Sequence, residues 1–338
     1  MEWIIIMLYG FSMFIICLFS LAQLNLTWHY IRKVDDPPLN HEPTNLPFVT
    51  LQLPLYNEKY VIDRLLDAAT SLDYPNTHLE IQLLDDSDDE TVGMIDARIN
   101  QIKNKGIDIV HLRRQNRIGF KAGALQHGLT IAKGEFIAIF DADFIPKKDF
   151  LKKVIPYFKD EKIAMVQTRW GHLNENFNLL TKMQAFGLNA HFTVEQTGRR
   201  KAKSFINFNG TAGIWRKESI LDVGGWHHDT LTEDLDLSYR AQLNGWKFEY
   251  LESVESPAEL PITLQAVKSQ QFRWNKGTAE TIRKNIGKVI QSDLALNHKT
   301  RATLHLLNST VFLFIFMAAL LSVPLVFIKN EYPHLKTI

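Results

Sequence analysis

The acidic side chains of this chain gather at a few points, and the residues around them define what chemistry they could do. Asp141-Ala142-Asp143 directly follows the apolar run Phe136–Phe140. Two carboxylates one residue apart at a strand end present hard oxygens to Mg²⁺ or Mn²⁺, ions that take a few carboxylates and fill their remaining places with phosphate and water. An isolated pair of this kind also reads as a solvated acidic turn. Asp85 and Asp86 suit the N-cap of a helix beginning near Thr91, or acceptors for a base N–H or a ribose hydroxyl after a strand. Lys121 reads as an ordinary lysine in a first helical turn, a phosphate neutraliser or a brace for the acids. Thr232-Glu233-Asp234 suits the start of a helix capped by Thr232 with favourable first-turn acids. The same carboxylates could supply a general base for an attacking hydroxyl. Gln270-x-x-Arg273-Trp274 reads either as an interfacial anchor pair or as a guanidinium fork for a diphosphate with an indole face for a sugar ring.

These residues need elements to bring them together. The spacing predicts strands at 48–53, 79–84, 107–112, 135–140 and 163–168, with helices around 61–69, 91–103 and 122–132 between them. Strands separated by helices of this length form right-handed βαβ units and a parallel sheet. The first strand runs into Pro54-Leu55-Tyr56-Asn57-Glu58, the second into Asp85-Asp86-Ser87-Asp88-Asp89 and the fourth into Asp141-Ala142-Asp143. Ligands of open α/β sheets bind outside the carboxyl ends of the strands, so three polar strand ends converge on one crevice.

Two runs are unlike the rest. Trp3–Leu24 and Leu306–Phe327 are apolar, and each is close to the ~20 residues that cross a bilayer as a helix. The first lacks the basic start and small-residue cleavage site of a signal peptide, and Arg301 and Lys329 flank the second, unlike a core helix. Arg32, Lys33, Lys299 and Arg301 put the intervening region in the cytoplasm. Asp35–Pro47 reads as a proline-rich linker. The one cysteine, Cys17, forbids an intrachain disulfide. Lys+Arg 38 against Asp+Glu 37 gives a net charge of +1, which offers no footprint for nucleic acid.

In order along the chain, Asp85/Asp86, Asp141-x-Asp143, Thr232-Glu233-Asp234 and Gln270-x-x-Arg273-Trp274 resemble the signature of processive family-two glycosyltransferases. Pro54-Leu55-Tyr56-Asn57-Glu58, Lys121-Ala122-Gly123-Ala124-Leu125, Phe208-Asn209-Gly210-Thr211-Ala212-Gly213 and Glu259-Leu260-Pro261 are similar to the cellulose-synthase-like mannan and glucan synthases. The resemblance spans about residues 48–300 and the flanking runs. It implies an α/β GT-A (Rossmann-like) domain with a mainly parallel sheet over 48–257, a membrane helix over 1–26, a linker over 27–47, an amphipathic interfacial segment over 258–303, a second membrane helix over 304–328 and a tail. It implies an inverting hexosyl transfer from a UDP- or GDP-sugar to a growing β-linked polysaccharide. Asp85, Asp86, Asp141, Glu233, Gln270 and Arg273 would hold the nucleotide sugar, and Asp141 and Asp143 an Mg²⁺ or Mn²⁺ ion. Asp234 would be the base, and Trp274 would meet the acceptor. Family members usually carry further membrane helices, whereas this chain stops at Ile338. The alternatives are a short form, a piece of a longer protein, or a chain that translocates product through an oligomer or partner subunit. A lipid acceptor, ceramide or polyprenyl phosphate, is the rival substrate, and a non-catalytic membrane scaffold the rival class.

Overall fold

A computed structural model describes residues 2–32 and 46–331; most of the expected linker lies outside the described residues. Helix α1 (Glu2–Ile31) is followed by β1 (Val49–Leu55), α2 (Ile62–Thr70), β2 (Leu79–Asp85), α3 (Thr91–Lys103), β3 (Asp108–Arg113), α4 (Phe120–Ile131) and β4 (Phe136–Ile139). Then come α5 (Phe150–Val154), β5 (Ile163–His172), α6 (Leu179–Asn189), a π-helical stretch (Ala190–Gln196), α7 (Thr197–Lys201), β6 (Gly213–Arg216) and α8 (Lys217–Asp222). The chain continues through α9 (Glu233–Leu243), β7 (Lys247–Ala258), α10 (Leu264–Gln291), α11 (Leu296–Leu306) and α12 (Val311–Glu331).

The strands form one sheet in the order β3-β2-β1-β4-β6-β5-β7. All five expected strands are present. Two more, β6 and β7, were not expected from the pattern. β6 pairs antiparallel with both β4 and β5, so the sheet is mixed, with parallel pairing elsewhere. Its four residues are too short to show a period. β7 carries Lys247, Glu249, Glu252 and Glu255 among its apolar residues, which hides its alternation.

Packing follows the two-residue period of strands. On β4, Phe136 and Ala138 face one core with Leu65, Leu66, Ile95 and Phe150, while Ile137 and Ile139 face the other with Leu125, Leu129, Trp215 and Leu237. The second face of β1 is polar yet buried. Thr50 donates to Glu80 at 2.7 Å and Gln52 to Gln82 at 3.0 Å, which pairs most of these buried groups while leaving the Gln52 side-chain oxygen unpartnered.

β1 lies between β2 and β4, because the chain winds outward through β2 and β3 before crossing to the other side. That reversal is a topological switch point, where the loops after neighbouring strands part and leave a crevice. The loops after β1, β2 and β4 meet there.

α1 and α12 are each long and apolar enough to cross a membrane. They pack together, with Phe11 edge-on to Phe314 at 5.9 Å between ring centroids. α1 runs five residues past the expected limit at 26. Its last turns seat against α7, where a Cβ on Gly198 would lie 2.5 Å from the Leu26 carbonyl oxygen. Gln23 donates to Glu195 at 2.9 Å, a polar tie between the helix and the α/β domain.

Candidate active site

Asp141 follows β4, and its amide N–H donates to the Thr211 hydroxyl at 2.9 Å. Its carboxylate takes the Lys121 ammonium directly. Lys121 also donates to the Gly210 carbonyl at 2.9 Å. Gly210 sits at φ +80°, where a Cβ would come within 3.2 Å of Asp234 Oδ2 and 3.5 Å of Lys121 Nζ. Four separate elements thus meet around one ammonium: the loops after β4 and before β6, and the first turns of α4 and α9. Lys121 is therefore the brace among the three readings of that residue.

The acids around it are strongly mutually repelled. Burial, and then the charge of Asp141, push the Asp143 carboxyl up to about 7. Burial and the neighbouring Glu233 push Asp234 up to about 7 as well. Glu233 is raised by burial, against the opposing pull of Lys121 and of Arg273. Glu58, at the end of β1, is raised by burial, Asp141 and Asp89. On Lys121 burial favours the neutral amine, but Asp141, Glu233 and Asp234 outweigh it and the proton is held more tightly than on a free lysine. Crowded carboxylates with shifted affinities in a crevice mark a candidate functional site.

The Asp141/Asp143 pair fits a divalent cation. The donor set is two hard carboxylate oxygens, and Asp143 is raised by burial and by the Asp141 charge, a repulsion that a dication between them would relieve. A second cluster, His227, Asp229 and Asp236, has metal-like spacing. There Lys284 Nζ already sits 3.0, 2.6 and 3.1 Å from the three side chains, so an ammonium takes the place of an ion.

Asp85 is turned into the fold. It accepts from the Ser87 amide at 2.9 Å and faces His111 Nε2 at 2.8 Å, and it is almost fully buried. His111 bridges Asp85 to Asp96 at 2.9 Å, and these two acids raise its proton affinity against the effect of burial. Asp86 is gripped by Arg114 through Nε at 3.0 Å and through a second guanidinium nitrogen. Neither acid caps α3: Glu90 holds the N-cap position, and Asp89, one residue earlier, accepts from the Thr91 amide at 2.9 Å. Thr232 stands at the start of α9, yet its hydroxyl pairs with Thr281 at 3.0 Å instead of capping the helix.

Gln270, Arg273 and Trp274 lie on α10 at i, i+3 and i+4, the spacing that places side chains on one helix face. Arg273 is near enough for its charge to act on Glu233. The structure therefore brings together Asp141, Asp143, Glu233, Asp234 and Arg273. Asp85 and Asp86 are held at the neighbouring strand end, and Gln270 and Trp274 are half-exposed on the helix above. Two participants carried little signal in the sequence. Glu58 was only part of a polar strand end, and Gly210 only part of a loop.

The family profile described as glycosyltransferase like family 2 matches residues 47–277. Glucomannan 4-beta-mannosyltransferase 2 of Arabidopsis thaliana is 44% identical over 254 residues, covering 74% of this chain and 48% of that protein. Glucomannan 4-beta-mannosyltransferase 1 of Oryza sativa subsp. japonica is 41% identical over 263 residues, covering 76% of this chain and 50% of that protein. The chain thus spans about half the length of the relatives it matches. Among solved structures, a mannosyltransferase of Pyrobaculum calidifontis in complex with GDP-Man and Mn²⁺ superposes with a TM-score of 0.71 at 21% identity, over 93% of this chain and 85% of that one. TarS residues 1–349 of S. aureus with UDP-GlcNAc superposes at 0.57 and 17% identity, over 78% of this chain and 72% of that one. At these identities the likeness is one of fold.

Proposed function

The chain belongs to glycosyltransferase family 2, and from that premise we propose that it transfers a hexose from a nucleoside-diphosphate sugar to a β-linked polysaccharide with inversion. The observation that carries this reading is the cluster of Asp141, Asp143, Glu233 and Asp234 around Lys121 at the switch point of the sheet. Identity of 41–44% to glucomannan 4-beta-mannosyltransferases favours mannose as the sugar and a β-1,4 linkage, and we take GDP-mannose as its donor form.

Asp234 is the general base. Its raised proton affinity, about 7, suits a group that must accept a proton from the acceptor hydroxyl near neutral pH. The hydroxyl oxygen forms the new bond at the anomeric carbon while the bond to the diphosphate breaks on the opposite face, so the anomeric configuration inverts. Arg273 supplies a charge-assisted fork where negative charge grows on the leaving diphosphate, and Trp274 offers the acceptor sugar an apolar face. Glu233 and Gln270 line the donor's approach, and Asp85 and Asp86 form the floor on the nucleotide side. Asp141 and Asp143 would hold an Mg²⁺ or Mn²⁺ ion, which when bound neutralises the diphosphate as a Lewis acid. Lys121 holds Asp141 and the Gly210 loop in place for that role.

Incubation with GDP-[¹⁴C]mannose, divalent metal and manno-oligosaccharide primers tests this. Label in primers lengthened by β-1,4-linked units, released by β-mannanase, is the expected result. Label from UDP-glucose alone would overturn the donor assignment, and label only in ceramide or polyprenyl phosphate would overturn the acceptor. We place α1 and α12 across a bilayer with the catalytic domain on the cytoplasmic side, supported by the apolar helices and by Arg32, Lys33, Lys299 and Arg301 beside them. Protease protection in sealed vesicles checks the orientation: a catalytic domain shielded in right-side-out vesicles is expected.

A further inference from the structure

Helix α10 runs for 28 residues, and its buried positions are Gly277, Thr281, Asn285 and Val289. They recur every four residues, one ridge of a packed helix. None of residues 264–276 is buried, although Gln270, Arg273 and Trp274 lie there. At its entry the segment is tied to α6, where Gln184 and Asn178 donate to the carbonyls of Pro261 and Ile262 at 2.9 and 3.2 Å. Beyond that, its placement is set from the far half.

The far half is docked on the residues that lead into Glu233 and Asp234. A Cβ on Gly277 would lie 2.6 Å from the Thr232 methyl, 2.7 Å from the Thr232 amide nitrogen and 2.8 Å from the Leu231 carbonyl carbon. Backbone atoms cannot swing aside as a side-chain tip can. One turn on, Glu280 accepts from the Leu231 amide at 2.8 Å and Thr281 pairs with Thr232 at 3.0 Å. One turn further, Asn285 donates to the fully buried Asp236 at 2.9 Å, and Lys284 bridges Asp236 and Asp229. Arg240, on α9 itself, completes the neutralisation of Asp236 at 2.8 Å.

We propose that Gly277 and the Asp236–Lys284–Asn285 knot are positioning residues that set the height and register of α10 over α9, and so the place of Arg273 and Trp274 above Glu233 and Asp234. Gly277 is the fulcrum, because it lies one turn from Arg273 and its missing Cβ lets α10 close onto the Thr232 backbone. The knot prevents the helix from sliding or rolling about that point. The proposal rests on the transfer reaction described above for its kinetic consequence, but its structural consequence can be measured alone.

The test compares Gly277→Ala with Gly287→Ala, a glycine on the same helix with open space where a Cβ would go. Full-length protein in detergent is used throughout. In Gly277→Ala, kcat for mannosyl transfer is expected to fall at least tenfold with KM for GDP-mannose within twofold. Amide exchange across residues 270–276 is expected to quicken at least tenfold. Gly287→Ala is expected to match the parent in both. Lys284→Met should show the same kcat-selective loss, and Lys284→Arg, which keeps a cation against Asp236, should recover at least half of it. If Gly277→Ala does not fold, the Lys284 pair decides by the same split. Unchanged exchange across 270–276 in Gly277→Ala or Lys284→Met, or equal losses in Lys284→Met and Lys284→Arg, overturns the proposal. Absence of transfer in the parent protein strikes the reaction instead and leaves the exchange result to stand or fall separately.

Discussion

Asp234, the proposed base, sits in an environment that weakens the fold. Burial and Glu233 raise its carboxyl to about 7, so the folded protein binds that proton more tightly than the unfolded chain does. A raised acid therefore weakens the fold as pH climbs from the ordinary carboxylate range through about 7. Asp234→Asn removes the charge and should raise Tm relative to the parent at pH 8, with little difference at pH 4.5; the reverse order would contradict the environment described. The same substitution should lower transfer by about 10²- to 10⁴-fold, the usual worth of a general base, while GDP-mannose still shifts Tm. Unchanged turnover would sink the assignment. Lys121 belongs with these acids, since its ammonium bonds both Asp141 and Gly210.

Among elements, the loop 208–212 and helix α10 matter most. Gly210 is left-handed at φ +80° with Asp234 beside it. An L-residue there costs about 1–2 kcal/mol in backbone alone, and its Cβ would crowd the carboxylate. Gly210→Ala should lower both Tm and kcat, whereas Gly245→Ala, also at positive φ but with open space around it, should lower Tm alone. Chemical denaturation and initial-rate measurements on the two variants separate backbone strain from damage to the site. On α10 the buried, anchoring positions lie in one half and the proposed site residues in the other.

For the whole molecule, the apolar helices are joined to the α/β domain by more than a tether. Gln23 bonds Glu195, and Gly198 admits the backbone of α1 at Leu26. A chain beginning at residue 46 would uncover that seat on α7, and is expected to have a lower Tm and to associate more readily than the full-length protein, as light scattering would record. The proposed metal dependence is tested on the assembled molecule. Chelation with EDTA should remove both transfer and the stabilisation that GDP-mannose confers, because a donor stabilises only in proportion to its binding. A thermal-shift titration with Mg²⁺ and Mn²⁺ restored separately would identify the preferred ion, and a full donor response in EDTA would refute the Asp141/Asp143 site.

What the amino-acid sequence determined by itself was local. Apolar strands ended in clustered acids, helices fell between them, and two runs were long enough to cross a bilayer. Those signals are written in neighbouring residues and in periods of two and 3.6, so they survive without knowledge of the fold. Tertiary structure decided the rest. It inserted β6 antiparallel into the sheet, since four residues carry no period of their own. Lys121 came to stand between Asp141 and Asp234 because the first turns of α4 and α9 meet across the switch point. Asp85 was turned inward onto His111, which belongs to the adjacent strand. And Arg273 was set near Glu233 from a docking face that begins one turn later, at Gly277. Each of these depends on contacts between residues far apart in the chain, and such pairings become definite only when the sheet, its crossing helices and their packing are all in place.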